Sequence, residues 1–265
     1  MKHRFFDLLL PALALCASFA ASRAVAGSDS LSADEIARRT LRADAFAWEG
    51  AKTRVRMVLS SPDGKRLERS IEVLARRDKG LLQTMVRFLL PADLAGTAFL
   101  MREQQGGASE QYIYLSGLKR TRRVVGKERE GSFMGSDFTY ADMQRVDRAH
   151  AKSFKQPDED LNGSAVHVIV SEIDPKTELQ YSKIQTWVRK SDLVPLRTRF
   201  FDKQGKLLKT LYTRRVREID GRPVVMEARM QNEQTGHATD LVIDSLEPGA
   251  DLADELFTPA GLEHF

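Results

Sequence analysis

The sequence predicts a mainly β protein built as one long antiparallel meander. Three observations predict it. After Gly50, apolar and polar residues alternate with a period of two through most of the chain, as they do where one face of a sheet is buried. Turn chemistry recurs between these runs, at Ser61-Pro62-Asp63-Gly64, Asp202-Lys203-Gln204-Gly205 and Asp220-Gly221; proline presets the bend and glycine accepts positive φ. Strands do not alternate with helix-length patterns, which argues against a parallel sheet. A meander of this length must curl to hide one apolar face and its edges.

The first residues read as an address. Lys2, His3 and Arg4 precede an apolar run from Leu8 to Ala20, and Ala24-Val25-Ala26 stands before Gly27. Together they form a secretory signal peptide, cleaved after Ala26. Cys16, the one cysteine, lies inside it, and Leu15 before it is too large for a lipidation signal. Processing therefore leaves no thiol, which suits an oxidising bacterial periplasm. Residues 27–265 are expected to form a single soluble domain there.

Ser32-Ala33-Asp34-Glu35 is a capping box that opens a helix, with the Ser32 hydroxyl taking an orphan N–H and Glu35 reaching back. Ile36, Thr40, Ala43 and Ala47 then share one helical face, flanked by Leu41 and Phe46. Strands follow from Thr53, Leu67–Ala75, Leu82–Leu90, Thr97–Met101 and Gln111–Leu115. They resume at Ala165–Glu172, Ser182–Arg189, Leu196–Phe201, Lys206–Val216, Val224–Met230 and Thr239–Leu246. The reading is roughly ten strands, with Lys155–Asn162 as a polar connection and Asp251–Phe257 as a short terminal helix. Several strands are apolar on one face only: Leu82, Thr84, Val86 and Phe88 oppose Gln83 and Arg87.

Catalytic constellations are lacking. His150, His167, His237 and His264 have no metal-ligand spacing, and His167, within apolar Val166–Val170, reads as structural. Gly131-Ser132-Phe133-Met134-Gly135 has its serine in the wrong place for a nucleophile elbow. Asp137 and Asp142 read as solvent-facing acids at a helix start. A formal net charge of +4 does not argue for nucleic acid. No catalytic residue, metal or cofactor is therefore expected, and the chain does not read as an enzyme.

Two segments carry the most information. Tyr112-Ile113-Tyr114-Leu115-Ser116-Gly117-Leu118 runs into the basic stretch Lys119-Arg120-Thr121-Arg122-Arg123, and Ser132-Phe133-Met134-Gly135-Ser136-Asp137-Phe138-Thr139-Tyr140 follows. With Pro91–Thr97, Trp187-Val188, Pro195 and Asp202-x-x-Gly205, they resemble the periplasmic outer-membrane lipoprotein-sorting proteins of the LolA-like superfamily. Ser116-Gly117 departs from the proline common there.

The resemblance implies an incomplete, strongly curved antiparallel β-barrel of LolA/LolB type, with a few helices covering its open mouth. It implies a carrier that shelters the acyl chains of a lipoprotein or lipid on the way to the outer membrane. The inner-membrane partner would be a transporter of the resistance-nodulation-division (RND) type. A periplasmic lipid-binding sensor is the alternative. On this reading Phe133, Met134, Phe138, Tyr140 and Met143 form a cover, either movable or fixed, with Gly131 and Gly135 as hinges. Phe88, Phe99, Tyr112 and Tyr114 join them as candidate acyl-chain contacts. Lys119, Arg120, Arg122 and Arg123 are candidates for lipid headgroups or a transient membrane contact; the competing reading is a solvated edge that discourages strand pairing.

Overall fold

The hairpin signals set the architecture. Ser61-Pro62-Asp63-Gly64 joins β1 (Gly50–Ser60) to β2 (Arg66–Asp78), and the Gly64 amide donates to Ser61 O at 3.0 Å. β3 (Leu81–Leu90), β4 (Ala98–Glu103), β5 (Ser109–Leu115) and β6 (Arg120–Arg123) follow as successive antiparallel neighbours. A second meander holds β7 (Ala151–Leu161), β8 (Ser164–Ile173), β9 (Tyr181–Arg189), β10 (Pro195–Asp202), β11 (Leu207–Ile219), β12 (Arg222–Asn232) and β13 (Ala238–Pro248). In this computed structural model, residues 30–40, 48–105, 109–143, 151–177 and 179–264 are described.

β1 pairs with β13, so the two meanders fuse into one 13-stranded sheet of order β6-β5-β4-β3-β2-β1-β13-β12-β11-β10-β9-β8-β7. The sheet is curved and does not close: an incomplete antiparallel barrel, as the sequence predicts. The expectation of roughly ten strands was low. The largest correction is β7, which occupies the stretch expected to be a polar connection. It is almost wholly exposed and its register shifts between Gln156 and Glu159. An edge strand with both faces polar has no alternation for periodicity to detect, and it tolerates Pro157 because one side of its backbone needs no partner.

Register assigns the faces. Cα partners run Val55–Ile243, Met57–Leu241, Leu241–Ala228, Met230–Leu211, Leu211–Thr198, Thr198–Thr186 and Thr186–Ile169. Directly paired residues share a face, so this series defines the inner surface. The main core lies on it: Val55, Met57, Ile71, Val73, Val86, Phe88, Phe99 and Ile113 pack with Phe133, Phe138, Tyr140 and Met230. Helix α1 (Ala33–Thr40) sits on the same surface near the other edge, with Ile36 packed on Ile169, Val188 and Leu193. Its capping box is half formed among the described contacts, the Glu35 amide donating to Ser32 Oγ at 3.2 Å. Glu35 instead turns to Arg38 and Arg39, whose hydrogen bonds hold its carboxyl down at about 2. Ala43, Ala47, Leu41 and Phe46 lie outside the described residues, as do His150 and the expected signal peptide.

The outer face of the first meander is covered by the chain's end. Leu74, Met85, Ala98 and Leu100 pack against Phe257 and Leu262, which stand on 3₁₀ turns at Asp254–Phe257 and Ala260–Leu262. Arg76 lies over the Phe257 ring at 4.5 Å and pairs with Asp254. The return begins at Gly50, where a Cβ would fall 2.1 Å from Ala250 O; only glycine permits that approach.

Because Phe257 is fully buried, Phe257→Ala is expected to cost about 3–5 kcal/mol. Urea unfolding measures it. A loss below about 1 kcal/mol would mean that the terminal segment leaves the sheet in solution.

Candidate functional site

The Ser132–Met143 segment crosses the inner face and ties the two meanders together. Its first part is a miniature hairpin: Ser132 bridges Thr139, and Phe133 N donates to Phe138 O at 2.7 Å. Met134 and Gly135 form the turn, both with positive φ, at 52° and 78°. Glycine takes that conformation freely and methionine seldom does. Ser136 Oγ donates to Phe133 O at 2.7 Å and Ser132 Oγ to Ser136 O at 2.5 Å, so the small hydroxyl residues satisfy the turn's own carbonyls.

This hairpin drives its aromatics into the core. Phe133 stands 6.0 Å from Phe88, 5.2 Å from Phe99 and 5.5 Å from Tyr140, and Phe99 lies 5.6 Å from Tyr140. Tilted and edge-on arrangements at these distances are favourable. Phe88, Phe99 and Phe133 are each 1 % exposed, so they seal the inner face here. Met134 and Met143 are only partly buried at its margin. Gly131 has an ordinary φ of −65°, and its missing side chain admits Glu128 O at 3.0 Å.

Polar groups clamp the segment from both walls. From the first meander, Arg69 donates to Met134 O, and buried Gln111 Nε2 donates to Tyr140 O at 2.8 Å. From the second, Lys209 Nζ reaches Asp142 Oδ2 at 2.6 Å and Asp137 O at 3.0 Å. Tyr181 OH donates to Asp142 Oδ1 at 2.7 Å, and Thr139 N donates to Asp142 Oδ2 at 2.7 Å. Asp137 meets His237 Nδ1 at 2.7 Å and accepts from Thr239 Oγ1 at 2.7 Å. Burial, and then the Asp142 charge, push the Tyr181 phenol well above its usual range.

Asp137 and Asp142 are therefore not the solvent-facing acids expected from sequence. Their side chains are 5 % and 7 % exposed, and Lys209 is 3 % exposed. Their partners lie in β9, β11 and the β12–β13 hairpin, far along the chain. Local patterning has no means of indicating them.

The other predicted residues divide. Tyr112 and Tyr114 alternate with inward-facing Ile113 and pack instead beside the outer cluster of Leu100 and Phe257. They are not brought to the aromatics of the inner face. In the basic stretch, Arg122 pairs with Glu128 at 2.8 Å, and Arg123 with Glu110 at 3.3 Å. Lys119 and Arg120 are exposed at the β5–β6 turn and carry no ion pair among the described residues.

Sequence reasoning missed the open part of the surface. Phe200 (β10), Leu211 (β11), Leu241 and Ile243 (β13) are partly buried residues that flank the sealed core. They form a partly buried apolar stripe across the inner face of the second meander. They lie within the expected strands Leu196–Phe201, Lys206–Val216 and Thr239–Leu246, but only the register brings them to the inner face beside the aromatic plug.

A family model described as that of an uncharacterized protein matches residues 80–264. A domain assigned to outer membrane lipoprotein sorting, from Vibrio parahaemolyticus, superposes with a TM-score of 0.81 at 27% identity, covering 89% of this chain and 100% of that one. The chain belongs to the family of that model, and its fold is LolA-like. A DUF1329 family protein from Desulfovibrio piger matches at TM-score 0.79 and 26% identity, over 91% of this chain and 99% of that one. A LolA superfamily protein from Nitrosomonas europaea shares the fold at TM-score 0.68 and 19% identity, over 86% and 98% of the two chains. No curated protein matches by sequence. Within the LolA-like fold, the aromatic hairpin and its buried clamp fill one part of the hollow and leave the stripe beside it.

The clamp makes a direct stability statement. Lys209→Met strands a buried carboxylate and is expected to cost about 3–5 kcal/mol. Adding Asp142→Asn should return part of the loss, because the uncompensated charge is gone. Denaturant unfolding of the single and double variants measures both. A single variant within about 1 kcal/mol of the parent would mean that the pair is solvated.

Proposed function

We propose that this chain is a periplasmic carrier that shelters acyl chains of a lipoprotein or lipid for transport toward the outer membrane. The partly buried apolar stripe of Phe200, Leu211, Leu241 and Ile243 carries the reading. Exposing an acyl chain to water costs ~0.8 kcal/mol per CH₂, and an apolar trough removes that cost without chemistry. The similarity to a domain assigned to outer membrane lipoprotein sorting supports the same reading, and the resemblance in sequence supports an RND-type transporter as partner. In this carrier Phe133, Phe138 and Tyr140, with Phe88 and Phe99, are the fixed end wall of the hollow. Met134 and Met143, at the margin, are the adaptable contacts, since methionine repacks easily.

Two substitutions separate wall from trough. Leu241→Glu is expected to leave a folded protein, because Leu241 is partly exposed, and to weaken uptake of a fluorescent fatty-acyl probe by about tenfold or more. Phe138→Glu puts an unpaired charge in the sealed core and should instead collapse the thermal transition. Unchanged probe uptake in folded Leu241→Glu would remove the stripe from the site. Mass spectrometry of an organic extract, from protein purified without detergent, would identify the cargo.

The headgroup contact narrows to Lys119 and Arg120. Each free cation near an anionic surface contributes up to ~1 kcal/mol. Charge reversal at these two should weaken vesicle binding more than reversal at Arg122 and Arg123, and added salt should mimic the loss. Equal effects from both pairs, or binding indifferent to salt, would reject that division.

A further inference from the structure

The outer face of the second meander carries an arrangement that the carrier reading does not use. Trp187 on β9 is paired with Arg197 on β10, and Gln185 with Arg199. Their neighbours Thr186 and Thr198 face inward, so Trp187, Arg197 and Arg199 face outward. The indole is 3 % exposed, backed by Val166 and Val168, and fixed by its Nε1–H donating to Glu159 at 2.9 Å. Both guanidiniums lie over it, Arg197 at 3.8 Å and Arg199 at 5.2 Å from the ring centroid. Stacking of this kind holds a guanidinium by its plane and leaves its N–H edge free to bind an oxyanion.

The two cations are poorly compensated. Among the described residues neither makes a hydrogen bond or ion pair, and the Nε atom of each is buried without a partner. Glu159 is the carboxylate that acts on Arg197, and it is already held by the indole. Burial first, and then the neighbouring Arg199 charge, push the Arg197 guanidinium below its usual range. More positive charge stands alongside: Lys183 lies 4.0 Å over Phe201 and Arg214 5.4 Å over Tyr212. Residues two apart on a strand are about 7 Å apart, so one tetrahedral anion can meet both forks.

We propose that Arg197 and Arg199, stacked on Trp187, form a phosphate-binding site on the outer face of β9 and β10. Two poorly compensated charges select the ligand class. A phosphate monoester or free phosphate carries about 1.5 to 2 negative charges near neutral pH, whereas a single carboxylate would leave one guanidinium unmatched. The phosphate comes either as the free ion or as a lipid headgroup.

Calorimetry with inorganic phosphate and flotation with vesicles of phosphatidic acid in phosphatidylcholine test the two sources. In the free-ion case the wild-type chain shows saturable heat. Arg197→Gln and Arg199→Gln each weaken it by about tenfold or more, the effect of one charge-assisted hydrogen bond. Arg197→Lys weakens it as well, since an ammonium has no fork. In the headgroup case the heat is absent, and flotation is lost in those variants but retained when Lys119 and Arg120 are neutralised. Trp48→Phe leaves Trp187 as the sole tryptophan and reports on an otherwise native site, through its emission on phosphate or vesicle addition. Neither heat nor flotation, binding that survives Arg197→Gln/Arg199→Gln, or Trp187 emission that ignores saturating ligand would each overturn the proposal.

Discussion

The pairing of β1 with β13 joins Met57 to Leu241 and Val55 to Ile243, and the rest of the molecule is arranged around that seam. Without it the chain would be two meanders, each with one apolar face to hide. With it, Met57 and Leu59 from one half and Met230 from the other contribute to one continuous core. β1 is buried along most of its length because it is flanked by β2 and β13 and covered from inside. The cost of closing so long a loop grows only slowly with its length, so the ladder and the apolar contacts can repay it.

The Ser132–Met143 hairpin depends on that seam. Its ties run to Arg69 and Gln111 on one side, and to Tyr181, Lys209, His237 and Thr239 on the other. These anchors face one another only because β1 and β13 set the two meanders side by side. The hairpin returns the support by setting Phe133 and Tyr140 against Phe88 and Phe99 on the concave surface. Where its polar contacts end, the sheet remains lined by apolar residues that nothing buries completely. Position in the sheet therefore decides which apolar residues are core and which are available.

Most strands were legible in the sequence because a half-buried strand writes its faces into its alternation. Leu82, Thr84, Val86 and Phe88 were read as one face, and all four are buried. β7 was not legible: its residues meet water on both sides, so nothing alternates. The inner and outer faces could not be named either, since alternation divides a strand without orienting it. That is why Tyr112 and Tyr114 were placed with Phe88 and Phe99, yet pack outside near Phe257. The acids of the hairpin failed for a related reason. Asp142 looks like any turn acid until Lys209, 67 positions later, is brought to 2.6 Å. The aromatic segment itself was recognisable, because so many large side chains among turn residues require something to cover.

The open sheet has a consequence for how these molecules coexist at high concentration. A closed barrel has no edge, whereas this one ends in β6 and β7, each with a row of backbone groups that could recruit a strand from another copy. Both ends are built to discourage that. β6 is four residues long and three of them are arginine. β7 carries Lys152, Lys155, Asp158, Glu159 and Asp160, and Pro157 interrupts its donor row where the register slips. Repulsion and a missing donor stop the sheet from growing by self-addition, so the gap that gives access to the hollow need not become a site of polymerisation.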